Sequence, residues 1–442
     1  MQSRTLSASI QRALLAMAAV SAGALSATSA FAQESEEDTA TLDTIEVTGS
    51  RLKRADIEGA VPVVVIDRAQ IDASGDVSVA DVLRDSTFAS FGNFKPQSGS
   101  SAQSLATIDL RGVGSGRTLV LIDGRRAPTN PMSASSGSDL NAIPLAAVER
   151  IEILSDGASA VYGSDAIGGV VNVILRKDFN GAEIRYGIGS TEVTGGDLQD
   201  MSVVFGSSSD RTRVIGGASS SKRGMVFTRD QIGGDRLGVS TFGNNYYNWN
   251  TQTIDPVPGF TCDQGAFYFL GSGLCSFNFN SVAANDAKVD NTSVFIRADH
   301  QINDNWTVYG AATMTKVETF GRYAPVPGVV VVDDGTPNDI NNGVACGPGG
   351  CAGPTDGLPT YYFHRFAAAG NRDNFTDTTN ADYLIGFQGQ LTDTIGIDFG
   401  LRRTDYKYVE LGRGYIVSTL ANEAANNGDY DLSDPYGADA DV

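Results

Sequence analysis

From residue 181 onward, apolar residues recur at every second position, and no other feature restricts the fold as much. Ala182, Ile184, Tyr186 and Ile188 alternate with Glu183, Arg185, Gly187 and Gly189. Similar runs follow at 201–205, 211–219 (weaker), 294–298, 306–314, 383–389 and 395–401. Successive side chains of a strand point to opposite faces, so each run reads as a strand with one apolar and one polar face. Seven such strands suit either a sandwich of two sheets or a wall with lipid outside and water inside. No apolar run beyond the N-terminus approaches the ~18 residues that a membrane-spanning helix needs.

Composition removes several function classes. Of 442 residues, 51 are Gly and 19% are charged, as turn-dense β structure requires. A net charge of −20 opposes nucleic-acid binding, which needs a basic face. The two histidines, His300 and His364, leave no set for zinc or for a histidine-based triad. No catalytic residue, metal ligand or cofactor is assigned, and the chain does not read as an enzyme.

Residues 1–32 have the form of a secretory signal peptide. Arg4 and Arg12 precede an apolar stretch at 13–25, and Ala30-Phe31-Ala32 is a cleavage pattern. Residues 33–60 begin with Glu34, Glu36, Glu37 and Asp38 and should be disordered. Within them, Thr44, Ile45, Glu46, Val47 and Thr48 favour an extended backbone. Such a segment could add to the edge of another protein's sheet, or serve as an ordinary first strand.

Residues 61–178 read as a small α/β domain. Apolar runs at 61–66 and 170–175 suit strands buried on both faces, and 108–111, 118–122 and 150–154 read as further strands. A short helix is expected at 67–73, and Ser78 with Asp81 caps another. Asp123-Gly124 marks a tight turn, and Pro144 the first turn of a helix. The glycines at 112–116 and 163–169 lack the spacing of a phosphate-binding loop and read as turns.

Several stretches carry a family resemblance. Val61-Pro62-Val63 to Asp67, Ile108-Asp109-Leu110-Arg111-Gly112, 119–124, Pro144 to Leu154 and, most specifically, Asp156 to Ile174 resemble the plug domain of TonB-dependent outer-membrane receptors. The resemblance covers roughly 44–177. It implies a small α/β plug followed by an antiparallel transmembrane β-barrel, in the outer membrane of a Gram-negative bacterium. It also implies that Thr44 to Thr48 is the TonB box, which pairs with TonB and its inner-membrane energising complex. Arg111 and Arg150 match plug arginines that, in related receptors, pair with barrel glutamates from strands beyond residue 442.

In this frame 179–442 is a partial barrel. Short turns are expected at 207–210, 303–305 and 392–394, with longer outside loops at 191–197, 222–291 and 321–378. All four cysteines fall in the two longest loops. In an exported chain Cys262 should pair with Cys275 and Cys346 with Cys351; free thiols or metal ligation are the alternatives. Seven strands cannot close the ~22-stranded barrel of plugged transporters, so the sheet should be open and the chain a piece of a larger receptor or a truncated reading frame. The chain ends Asp439-Ala440-Asp441-Val442 in an acidic, Gly/Asn-rich stretch with no assigned role.

The function implied is TonB-coupled uptake of a scarce nutrient. The resemblance favours a ferric siderophore, with saccharides or peptides as the alternative cargo. A non-transporting barrel or adhesin is the rival class, and the 44–48 segment is the feature that separates them. Eleven aromatic residues between Lys222 and Lys288 could stack on a ligand, pack the loop, or anchor it at the membrane interface.

Overall fold

The computed structural model describes residues 63–437 except 90–94, 99–102, 133–136, 156–158, 232–236, 342, 348 and 393. The expected signal peptide and the 44–48 segment lie outside the described residues.

The first part is a five-stranded mixed sheet with helices against it. Its strands are β1 (Val63–Ile66), β2 (Thr118–Ile122), β3 (Arg125–Arg126), β4 (Val148–Leu154) and β5 (Gly169–Leu175), in the order β1-β4-β5-β2-β3. Only β2 and β5 run parallel. Helix α1 (Arg68–Ser74) starts at a full capping box, in which Asp67 accepts from the Gln70 amide and Gln70 reaches back. Helix α2 (Val79–Arg84) starts at Ser78, which accepts from the Asp81 amide. Ile71, Leu83, Ile108, Leu140, Ile151 and Val171 form the core of this domain.

Two local expectations fail. Residues 108–111 form no strand; they cross the domain interior as irregular backbone. Leu110 N–H is satisfied by the Thr118 hydroxyl at 3.0 Å, and Asp109 accepts from Gly114 N–H at 2.9 Å, so side chains replace a strand partner. Pro144 opens a single 3-10 turn, Leu145–Ala147, rather than an α-helix.

The second part is a seven-stranded antiparallel sheet in which sequence neighbours pair. Its strands are β6 (Gly181–Gly189), β7 (Leu198–Ser208), β8 (Thr212–Arg223), β11 (Lys288–Asn303), β12 (Trp306–Tyr323), β15 (Arg372–Thr392) and β16 (Ile395–Arg413). The sheet is open, with β6 and β16 as its edges. Alternation does what the sequence demands. Ile184, Ile188, Ile385 and Leu401 point away from the first domain and are 61–75% exposed, while Val204, Ile215 and Phe295 pack against Ala146 and Ala147 of that domain.

The long connections are not plain loops. Strands β9 (Asn245–Asn248), β10 (Thr253–Pro256), β13 (Pro327–Val332) and β14 (Thr360–Arg365) make a second sheet, in the order β10-β9-β14-β13. Residues 418–432 fold onto it. Helix α3 (Ser418–Asn427) buries Ala421 and Ala425, and Tyr430 and Leu432 enter the same core as Tyr246, Phe267, Phe277 and Tyr362. Cys262 is bonded to Cys275 and Cys346 to Cys351, with Cα separations of 5.6 and 4.5 Å.

Candidate functional site

The first domain rests on the inner face of the wall, and charged and polar contacts fix it there. The β2–β3 hairpin turn is their centre. Asp123 sits at φ 49° and Gly124 at φ 76°, a turn in which glycine is at home and aspartate tolerable. This geometry lets one Asp123 carboxylate oxygen accept from Leu175 N–H at 3.0 Å while the other receives Arg297 Nη1 at 2.7 Å. Arg297 also forks onto Asp299 at 2.7 and 2.8 Å. The Arg297 and Asp123 side chains are only 10% exposed, so these charges are held mainly by one another.

The same hairpin reaches further strands. Arg125 contacts the Tyr309 hydroxyl and Asp398, and Arg402, itself forked onto Asp382, donates to the Arg126 carbonyl at 2.7 Å. Elsewhere the wall again offers arginine and the inner domain aspartate: Arg223 meets Asp81 at 2.8 Å, and Arg185 meets Asp72. Towards the cap, the second sheet (β9, β10, β13, β14) with helix α3 packed on it, neutral groups take over. Gln103 donates to Thr319 and to the Asn374 carbonyl, Ser104 meets Thr378, and Ser98 brackets the Arg322 backbone.

Arg111 and Arg150 find partners inside their own domain. Arg111, at φ 62°, donates to the carbonyls of Ile167 and Gly168 at 2.7 and 3.2 Å. Arg150 pairs at 2.9 Å with Glu152, whose fully buried carboxylate also accepts from Asn172. The contacts with the wall come from residues the sequence reading did not single out. A signal was present: with Ile296 and Ala298 facing outward, Arg297 and Asp299 must face inward, where a charge needs a partner.

Between the inner domain and the wall lies a cavity of about 90 Å³, bordered by Asn130, Asp139, Phe295, Asp382 and Tyr406. Asp139 is wholly buried beside it, and burial pushes its carboxyl up to about 7 against the opposing pull of the Ala106 and Asn141 amides.

The cap is tied together by a neighbouring pair. His364 Nδ1 donates to Asn244 Oδ1 at 2.6 Å and Nε2 accepts from the Tyr430 hydroxyl at 2.8 Å, because an amide oxygen can only accept. Burial, reinforced by adjacent Arg365, lowers the imidazole to about 3, so it stays neutral. Asp339 lies close to Cys346 and Cys351, but those sulfurs are joined in a disulfide and offer no thiolate pair to a metal. Of the loop aromatics, Tyr246, Phe260, Phe267 and Phe277 pack the cap core, while Trp249 and Phe269 are exposed.

Residues 55–170 match the family model described as TonB-dependent Receptor Plug Domain. Among solved structures, a mutant ferric enterobactin receptor from Pseudomonas aeruginosa is similar at 15% identity and a TM-score of 0.40, over 79% of this chain and 50% of that one. The siderophore receptor PiuA from Acinetobacter baumannii is similar at 15% identity and a TM-score of 0.37, over 78% of this chain and 46% of that one. BauA, the ferric preacinetobactin receptor from the same species, gives 12%, 0.38, 80% and 48% in the same order. The chain thus spans about half the length of the solved structures it matches.

Proposed function

We propose, from the premise that a chain whose residues 55–170 are a TonB-dependent receptor plug domain belongs to that receptor family, that it serves energy-coupled uptake of a scarce nutrient across the bacterial outer membrane. The observation that carries this is a plug held on the inner face of an amphipathic wall by separable polar contacts. Arg297–Asp123 and Gln103–Thr319 are bonds that a pull can break and re-form, beside a small apolar contact of Val204, Ile215 and Phe295 with Ala146 and Ala147. A ferric siderophore is the leading cargo; saccharides or peptides are the second reading.

In this scheme the ligand lands between cap and plug, and the 44–48 segment then pairs with TonB, whose pull rearranges the plug. Arg111 and Arg150 would pair with barrel glutamates from later strands of the complete receptor. The test uses the 44–48 segment. Strand addition relies on backbone hydrogen bonds, so Ile45→Pro or Val47→Pro should abolish uptake of ferric siderophore by the complete receptor. Ligand binding at the outer face should survive. Unchanged uptake in both variants would refute the coupling.

A further inference from the structure

We propose that the Cys346–Cys351 loop of the cap is a redox-gated metal site. Once its disulfide is reduced, the two thiolates and the Asp339 carboxylate take up one divalent cation of the zinc class. The site stands apart from the uptake reading and from any cargo.

Three ligand atoms already converge. One Asp339 carboxylate oxygen lies 3.5 Å from the Cys351 sulfur and 4.0 Å from the Cys346 sulfur. With zinc–sulfur bonds of about 2.3 Å and zinc–oxygen bonds of about 2.0 Å, tetrahedral ligands sit roughly 3.5–3.8 Å apart. Asp339 is 1% exposed, whereas both cysteines are part-exposed, so a reductant and an ion can reach the sulfurs. Two sulfurs and one carboxylate suit zinc rather than calcium or magnesium, which take oxygen ligands. Three protein ligands leave a fourth position for water.

The carboxylate has no cation to answer it. Its oxygens accept from the Thr360 hydroxyl at 2.7 Å and from Gly335 N–H at 2.9 Å, and no lysine or arginine pairs with it among the described residues. A buried charge held by neutral donors is costly, and a divalent ion compensates it. The backbone keeps the sulfurs in place without their covalent bond. Cys346 N–H donates to the Asp339 carbonyl at 2.8 Å and Cys351 N–H to the Gly335 carbonyl at 3.4 Å. Beside them, 340–341 pairs with 344–345 in a short ladder. Gly347 and Gly349 stand in open space, so the turn between the sulfurs can widen to the spacing of two ligands. The other pair is of a different kind: Cys262 and Cys275, 1% and 0% exposed, lie in the apolar cap core.

The redox step needs a dithiol. It hands over two hydrogen atoms; the S–S bond breaks, each sulfur becomes a thiol, and the reductant closes its own disulfide. The incoming ion then displaces both thiol protons to solvent. The alternative is an Asp339 that merely braces the turn between Gly335 and Thr360.

Zinc chloride separates the two, titrated into the folded protein in detergent before and after reduction with dithiothreitol, which is removed under nitrogen. A chromogenic chelator reports uptake, and cobalt chloride in place of zinc reports the ligands through thiolate-to-metal absorption. The reduced protein should bind one ion, release two protons and show that absorption; the oxidised protein should show no comparable uptake. Cys346→Ser/Cys351→Ser should lose the site, and Asp339→Asn should weaken it about tenfold or more. Should the double variant fail to fold, alkylation of the reduced wild type with iodoacetamide replaces it, with the same loss expected. Equal uptake by oxidised and reduced protein, cobalt bound without thiolate absorption, or full affinity in Asp339→Asn would overturn the proposal.

Discussion

Arg297 is the residue whose loss the molecule should feel most. It neutralises Asp123 and Asp299 together, and removing it leaves Asp299 without its cation and Asp123 with only the more distant Lys177, 3.7 Å away, in an interface where both side chains are about 10% exposed. Arg297→Met should cost about 3–5 kcal/mol, while adding Asp123→Asn and Asp299→Asn should recover much of that loss. Urea unfolding of the single and triple variants measures both. Asp139 gives a pH signature. Its carboxyl is raised in the folded state from 3.8 to about 7, so the stability it contributes is complete below pH 4 and is lost as pH rises through 7. Asp139→Asn should flatten stability across that window, seen as an unfolding midpoint that no longer falls between pH 4 and 7. At this scale the sequence was only half legible. The parity of β11 exposes Arg297 as an inward charge, but its partner lies 174 residues away on a hairpin turn, and only the fold brings the two together. Arg111 and Arg150 stood out through resemblance, and here they serve the plug's own loops and sheet.

Among the elements, the wall strands were readable because a sheet with one apolar outward face and one polar face towards the plug writes its geometry as a period of two. All seven appear in order, though β15 runs from Arg372 where the apolar pattern begins only at Tyr383. Before Tyr383 its outward residues turn mostly polar, so hydropathy no longer marks the strand. The cap was illegible for a related reason. Its strands are short and its core is assembled from three separate segments, so no single stretch carries a period. Helix α3 buries only Ala421 and Ala425, too slight a stripe to announce itself. Leu432, fully buried in that core, is the sharpest probe. Leu432→Ala should destabilise the cap by about 2–5 kcal/mol. Limited proteolysis should then cut within the cap first, leaving the plug and the wall strands protected.

For the whole molecule, two surfaces of opposite character divide the work. The outward belt built from Ile184, Ile385, Phe387 and Leu401 suits hydrocarbon, and the inward face grips the plug with charge. Ile385→Lys should therefore cost about 2–4 kcal/mol in a bilayer if the position lies near mid-depth. Unfolding in lipid vesicles should show that loss; the same substitution in a soluble sheet would cost little. The cap is cross-linked so that its segments move together. Because His364 joins Asn244 on one segment to Tyr430 on another, and Arg365 joins Phe242 to Pro325, no loop can swing aside alone. Opening becomes one collective event, belonging to the microsecond-to-millisecond regime of domain motion rather than the faster flicker of free loops. On the proposed uptake reading, a ligand beneath such a cover would meet a clock: its dwell time would be set by how seldom three strands of chain let go at once.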